Sequence, residues 1–277
     1  MLNGDTKIIA HVGFPTTTFK SPMIYNPWFE RHAINACVVP LGVTSDNFAI
    51  AFDQICRFTN FHGALITMPH KIAVMALIDD VSRAVKVAGA CNAVRRGADG
   101  RLIGDMFDGE GFVRGMARNG GSLKGARALV VGAGGVGCAI AASIAAAGAA
   151  EIALYDVDSQ AMKRLAERLR ENYPGLRVGV GGNDPQGFDV VVNATPLGMK
   201  AGDPMPVEIS RLSPSTFVGE VVMKQETTAF LAAARARGCQ TQVGVDMLFE
   251  QIPAYLEFFG FGAPTPQELR DVAQIHY

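Results

Sequence analysis

Apolar positions along the chain follow two rhythms. Short unbroken runs read as buried strands, and stretches with apolar residues three and four apart read as helices. Residues 7–13 form the first run, and after a Thr-rich loop Pro22 is placed to open a helix to about Ile34. Residues 36–43 read as a second strand. Phe48, Ile50, Phe52, Ile55 and Phe58 then recur at helical spacing, with Ser45 or Asp46 as the cap. A third strand at 63–67 ends at Met68-Pro69. From His70 to Ile78 the pattern is helical, with His70 in the first turn and Asp79-Asp80 ending it. Residues 91–95 and 101–104 read as a strand pair around Ala98-Asp99-Gly100. Strand and helix alternate, so this half predicts an α/β unit with a parallel or mixed sheet.

The second half repeats the alternation more regularly. Residues 108–119 are helical, and Gly120-Gly121-Ser122 ends the helix. The run Ala128-Leu129-Val130-Val131 passes directly into Gly132-Ala133-Gly134-Gly135-Val136-Gly137, and an alanine-rich helical pattern follows. A dinucleotide pyrophosphate needs a tight turn, a backbone without Cβ atoms, and a helix N-terminus aimed at its charge. Gly132, Gly134 and Gly137 supply these in order, with Gly135 and Val136 opening the helix. Strands are predicted at 151–155, 188–193 and 217–222, and helices at 158–173, 227–237, 246–259 and 265–275. Strand ends in such a unit line the cofactor crevice, so Asn193, Thr195, Pro196, Val221 and Met223 belong there. Gly244 joins the cofactor-side set.

Asp156 follows Gly137 at the end of the next strand, where an acid accepts the adenosine ribose hydroxyls and repels a 2′-phosphate. Lys163 and Arg164 are set further back. NAD is therefore favoured, with NADP as the alternative. The alternative reading of Asp158, and to a smaller extent of Asp156, is a helix N-cap.

Composition narrows the class. The 277 residues are 49% hydrophobic and 18% charged, enough core for two modest domains. A net charge of −1 gives no electrostatic footprint for nucleic acid or an anionic membrane. The uncharged stretch 128–150 is a poor membrane span, because glycines at 132, 134, 135 and 137 interrupt it. Five widely spaced cysteines read as buried free thiols in a reducing compartment. His11, His32, His62 and His276 lack metal-ligand spacing and read as surface or core residues, so no metal is expected. The start of the chain shows no charged-then-apolar leader, and a cytoplasmic protein acting on a small molecule, as monomer or homodimer, is expected.

Several segments resemble the shikimate dehydrogenase family. They are Gly63-Ala64-Leu65-Ile66-Thr67-Met68-Pro69-His70-Lys71, Gly89-Ala90-Cys91-Asn92-Ala93-Val94, and Gly104-Asp105-Met106-Phe107-Asp108-Gly109. Asn193-Ala194-Thr195-Pro196-Leu197-Gly198-Met199 and Met247-Leu248-Phe249-Glu250-Gln251 belong to the same set, in family order from Gly13 to Gln251. The resemblance implies two domains: 1–107 with 244–277 as an α/β substrate domain with a mixed sheet, and 108–243 as a Rossmann-type doubly wound NAD(P)-binding domain. It implies hydride transfer to or from a ring secondary alcohol of shikimate type, with Lys71 and Asp108 as the catalytic pair. A partly buried amine can accept the hydroxyl proton and a neighbouring carboxylate can hold amine and hydroxyl in place, and the sequence leaves open which of the two is formally the base. By the same match Thr67, Asn92 and Gln251 bind ring hydroxyls, and Ser21 belongs to the substrate loop.

The departures from the family are one-sided. Where the family reads Ser-x-Ser-Pro and takes the substrate carboxylate, this chain has Phe19-Lys20-Ser21-Pro22. Leu65 stands for a family Asn, Met106-Phe107 for Asn-Thr, and Met223 for a Tyr near the nicotinamide. Tyr155-Asp156-Val157 replaces an NADP-binding Asn-Arg-Thr, in agreement with NAD. Loss of a charge-assisted hydrogen bond costs about 1.5–3 kcal/mol, or about ten- to a hundredfold in affinity. The expectation is a divergent member that keeps alcohol dehydrogenation but binds shikimate weakly or prefers a modified ring, unless Thr16, Thr17, Thr18 or Lys20 restores the carboxylate contact. NAD-dependent quinate dehydrogenase, or a dehydrogenase of a related cyclic polyol, is the second enzyme reading. A ligand-sensing module is the reading from another class, and a sensor has no need of the Lys–Asp pair.

Overall fold

Pro22 fixes the backbone angle of a first helical turn, and the aromatic run behind it is buried, so the first helix forms where the pattern places it. The computed structural model describes residues 2–275; His276 lies outside them. Strand β1 (Lys7–Gly13) leads to α1 (Pro22–Arg31), β2 (Ala36–Gly42), α2 (Phe48–Cys56) and β3 (Phe61–Ile66). Then come β4 (Asp80–Val81), α3 (Arg83–Ala88), β5 (Ala93–Arg96) and β6 (Leu102–Asp105). The six strands pair in the order β2-β1-β3-β5-β6-β4. β1, β2 and β3 run parallel, and β5 pairs antiparallel with both β3 and β6. The sheet is mixed, as predicted.

The second half contains α4 (Asp108–Arg118), β7 (Arg127–Val131), α5 (Gly135–Ala146), β8 (Glu151–Tyr155), α6 (Ser159–Asn172) and β9 (Arg177–Val180). It continues with β10 (Val190–Asn193), β11 (Phe217–Glu220), α7 (Ala229–Ala236), β12 (Gln240–Gln242), α8 (Gly244–Phe258) and α9 (Pro266–Val272). Its strands pair in the order β12-β11-β10-β7-β8-β9, every neighbour parallel. Renumbered along the chain this is 3-2-1-4-5-6 read from the β9 edge, the doubly wound dinucleotide order. Leu129, Val191 and Val218 on its strands bury against Phe230 and Leu231 of α7. Asp158 caps α6, accepting from the Gln160 and Ala161 amides.

Contacts divide the chain into two units. One holds the residues up to Phe107 together with the chain from Gln251, and the other runs Asp108–Glu250. Helix α8 therefore contributes 244–250 to one unit and 251–258 to the other. All five cysteines are free; Cys37 is half-buried and the other four are buried. Among the described residues no helix is long and apolar enough to cross a membrane.

Several local expectations need correcting. The helix predicted at 70–78 is a 3-10 turn over Ala73–Leu77. An α-helix needs the Lys71 carbonyl for the amide four residues on, but that carbonyl accepts from the Cys91 amide at 2.7 Å, and Met75 N–H turns to Ile72 instead. His70 is not in a helical turn; it is 1% exposed and points inward. Neither Ser45 nor Asp46 caps α2, because Ser45–Asn47 forms its own 3-10 turn and Asn47 precedes the helix. Ile50 and Phe58, despite their helical spacing, are exposed. Strands β4, β9 and β12 and helix α3 carry no periodicity that the sequence reading registers.

Candidate active site

In the first unit, the strand ends bring polar groups into an otherwise apolar neighbourhood. His11 of β1 is the register neighbour of Leu65 in β3, which in turn pairs with Ala93 of β5. The Thr67 amide donates to Val12 O at 2.9 Å, and the Ile66 amide donates to Asn92 O at 2.8 Å. Thr67, Asn92 and the start of the Lys71 segment therefore leave the same end of the sheet. His70 anchors that segment: its Nε2 lies 2.7 Å from Val43 O and its ring stacks on Phe48 at 4.0 Å. Lys71 itself is 8% exposed.

Asn92 is fully buried and oriented unambiguously. Its Oδ1 accepts from the Phe107 amide at 3.0 Å, which leaves the Nδ2 donor without a partner among the described residues. Gln251 Oε1 is likewise buried and unpartnered. Gln251 lies one turn before Tyr255 on α8, and the Tyr255 hydroxyl reaches Asn92 O at 3.5 Å. Buried polar atoms normally have partners, so two orphans on neighbouring elements fit a ligand that would supply them. The Ser21 hydroxyl does not cap α1 although the residue is in the cap position.

The sequence singles out Phe19 in the substrate loop but not His11, nor the stack between them. Their rings stack at 4.0 Å with planes 22° apart. Burial first, and the Lys71 charge second, push the His11 imidazole down to about 3, so it is neutral throughout the working range. Its Nδ1 has no hydrogen-bond partner among the described residues. The only signal in the sequence was a lone polar residue in the run Ile8-Ile9-Ala10-His11-Val12.

In the second unit, Val131, Tyr155, Asn193 and Glu220 end their strands in one register row. Gly132, Asp156, Ala194 and Val221 leave the sheet together, on both sides of the point where strand order reverses. Gly132 has φ +111°, a conformation open to glycine, and its amide donates to Tyr155 O at 2.7 Å. Gly134 precedes α5 with no protein atom within 4 Å of where a Cβ would stand. Asp156 accepts from the Ala133 amide at 2.5 Å and the Asp158 amide at 2.8 Å, which ties the end of β8 to the glycine loop. A bare backbone turn, a helix N-terminus facing open space and an adjacent carboxylate fit a dinucleotide.

Asn193 organises the facing loop. Its Oδ1 accepts from the Thr195 amide and hydroxyl at 3.1 and 2.6 Å, and its Nδ2 donates to Leu197 O at 2.9 Å. Pro196 beside them is exposed, and Met223 is half-buried. Gly244 has no room for a side chain against the Val221–Val222 backbone. Asp108 opens α4 and is 3% exposed; the next residue, Gly109, lies directly on Ala139 and Ser143 of α5. The helix carrying Asp108 is thus seated on the helix that follows the glycine loop.

Glu220 is fully buried at the end of β11. Burial raises its carboxyl to about 7, opposed by hydrogen bonds from Thr228, at 2.9 Å, and Asn193. A carboxyl held above its unfolded value near 4.5 favours the native state only while protonated. Its contribution is complete below about 4.5 and is lost as pH rises through about 7. Glu220→Gln, which keeps the acceptor for Thr228, is expected to be more stable than the parent at pH 8 by roughly 1–3 kcal/mol, with the gap closing toward pH 5. Thermal unfolding at the two pH values checks this; an equal difference at both would contradict it.

Comparison with known proteins points one way. Residues 12–94 match the family model described as shikimate dehydrogenase substrate binding domain, and residues 116–165 match the ThiF family. A shikimate dehydrogenase (NADP(+)) of Rubrobacter xylanophilus is 35% identical over 259 residues, covering 90% of this chain and 89% of that protein. Among solved structures, quinate dehydrogenase from Corynebacterium glutamicum in complex with NAD is 27% identical, with TM-score 0.83, covering 96% of this chain and 98% of that one. The ligand-free form of 5-ketofructose reductase from a Gluconobacter strain is 26% identical, also with TM-score 0.83, covering 98% of this chain and all of that one.

Proposed function

The chain belongs to the shikimate dehydrogenase family of NAD(P)-dependent oxidoreductases, and from that premise we propose that it oxidises a ring secondary alcohol of shikimate type, or reduces the ketone, with NAD favoured. The observation that carries the substrate assignment is the pair of buried, unpartnered atoms Asn92 Nδ2 and Gln251 Oε1, a donor and an acceptor suited to ring hydroxyls. Lys71 takes the hydroxyl proton as the alcohol carbon is oxidised, and returns it in the reverse direction. Asp108 holds the amine and the hydroxyl in register. Thr67 completes the ring-hydroxyl contacts, and Ser21 keeps one hydroxyl of the loop that takes the substrate carboxylate in the family. Gly132, Gly134, Gly135, Val136 and Gly137 hold the pyrophosphate, and Asp156 the adenosine ribose. Asn193, Thr195, Pro196, Val221, Met223 and Gly244 line the nicotinamide side. The bound nicotinamide supplies the two-electron acceptor. Steady-state turnover of shikimate, quinate and related cyclic polyols with each cofactor tests the assignment, and absence of turnover with every ring alcohol would overturn it.

Asp156 supports the cofactor preference. Its charge repels a 2′-phosphate, a penalty worth about ten- to a hundredfold at partly solvated range. Asp156→Asn keeps an oxygen for the Ala133 amide while removing the charge. The ratio of kcat/KM for NAD over NADP is expected to exceed unity in the parent and to fall at least about tenfold in the variant. A parent that prefers NADP would contradict the reading. Quinate dehydrogenase shares the cofactor argument, but its substrate needs room for a further hydroxyl on the carboxylate-bearing carbon, and Phe19 counts against that.

A further inference from the structure

The substrate end of the first unit carries more chemistry than a ring-alcohol site requires. His11 is 6% exposed, yet Nδ1 has no partner, and in its neutral state it can donate or accept there according to tautomer. One face of its ring is covered by Phe19, and the tip of the same Phe19 ring, Cζ, would lie 3.1 Å from a Cβ on Gly13. Thr67 reaches that same point with its methyl group. Leu65, the register neighbour of His11, is 4% exposed. The result is a wall of two stacked rings and aliphatic surface, with one buried polar atom unpartnered among the described residues. A carboxylate brought against such a wall loses its hydration there, which is costly, and the cation within electrostatic reach of His11, the Lys71 ammonium, is given to the reacting hydroxyl in the reading above. A hydroxyl finds a partner in Nδ1.

We propose that His11 and Phe19 determine substrate specificity by forming an uncharged wall that selects a neutral polyhydroxylated ring over a carboxylated one, with His11 Nδ1 hydrogen-bonding a ring substituent. This rests on the ring-alcohol dehydrogenase reading above and deepens it. The stack explains why the two residues occur together: Phe19 shields one face of the imidazole and holds its plane, so that Nδ1 keeps a fixed direction. Lys20, which follows Phe19 and is itself buried, is the cation that would answer for a carboxylate if the wall did not act this way.

The test compares shikimate with methyl shikimate, the same ring with its charge masked, in initial-rate assays with NAD. The parent is expected to use the ester with kcat/KM at least about tenfold above the acid, and Phe19→Ser is expected to reverse the order. His11→Val is expected to raise KM for the ester about five- to tenfold with little change in kcat, and His11→Asn to recover part of the loss. A parent that prefers the acid, a ratio unmoved by Phe19→Ser, or loss of acid turnover on Lys20→Met alone would each overturn the proposal. If neither ring is turned over, dissociation constants of the two on NAD-loaded protein are compared instead, and equal or undetectable binding counts against it. Lys71→Met separates the two levels. If kcat is unchanged by that substitution, the role given to Lys71 in the dehydrogenase reading fails; if kcat falls about 10²–10⁴-fold while the Phe19 variant leaves the ratio unmoved, only the wall is wrong.

Discussion

Lys71→Met is expected to lower kcat about 10²–10⁴-fold, the range that a positioned acid–base group supplies, with cofactor affinity and unfolding temperature close to those of the parent. The separation of effects follows from how the segment is built. Its backbone is held by groups other than the ammonium: Cys91 N–H on the Lys71 carbonyl, Thr67 O on the His70 amide, and the His70 ring on Phe48 and Val43. Methionine keeps most of the apolar stem and deletes the charge. Asp108→Asn is expected to cost a comparable factor, and the double variant little more than the worse single one, since two groups serving one proton act as a unit. Multiplicative losses in the double variant would mean that the two act independently. Cofactor titration by fluorescence accompanies the kinetics, and a parallel loss of NAD binding in Lys71→Met would assign the defect to folding instead.

What could be read from the chain divides according to how far each feature depends on distant residues. The doubly wound half was legible because its central strands β7, β10 and β11 are buried on both faces and its glycine loop needs only local geometry; β8 falls at 151–155 as predicted. β9 escaped because it lies at the sheet edge with mostly exposed residues, and β12 because it is the polar run Gln240-Thr241-Gln242. The 70–78 segment misled for the opposite reason. Its apolar spacing suits a helix, but a hydrogen bond from Cys91, twenty residues on, removes the acceptor that a helix needs. His11 escaped for a related reason. Nothing local distinguishes a core histidine in a strand from one with an open nitrogen; the difference is made by Phe19, which a 3-10 turn over Thr16–Thr18 brings back onto it. The cofactor side thus rests on local rules and the substrate side on tertiary packing, which is why Asp156 and the glycines could be named with fewer alternatives than the groups around Lys71.

Changing Gly134 and Gly137 to alanine, one at a time, is expected to give opposite failures. At Gly137 an added Cβ meets the backbone of Gly132, and no side-chain rotation relieves the contact. The turn and α5 must separate, so Gly137→Ala is expected to destabilise the fold by about 1–3 kcal/mol, with cofactor binding lost as a consequence. At Gly134 the added Cβ meets no protein atom, and φ is −73°, which any residue adopts. Gly134→Ala is therefore expected to unfold within a degree or two of the parent. The open space beside it is where the pyrophosphate approaches the α5 amides, so a methyl group there is expected to weaken NAD binding at least about tenfold, roughly one displaced charge-assisted hydrogen bond. Thermal unfolding and NAD titration on both variants read the two effects separately. If Gly134→Ala binds NAD as the parent does, the pyrophosphate does not lie on this loop, and the cofactor assignment loses its main support. If Gly137→Ala is fully stable, the close approach of α5 to the turn is not what the third glycine is for.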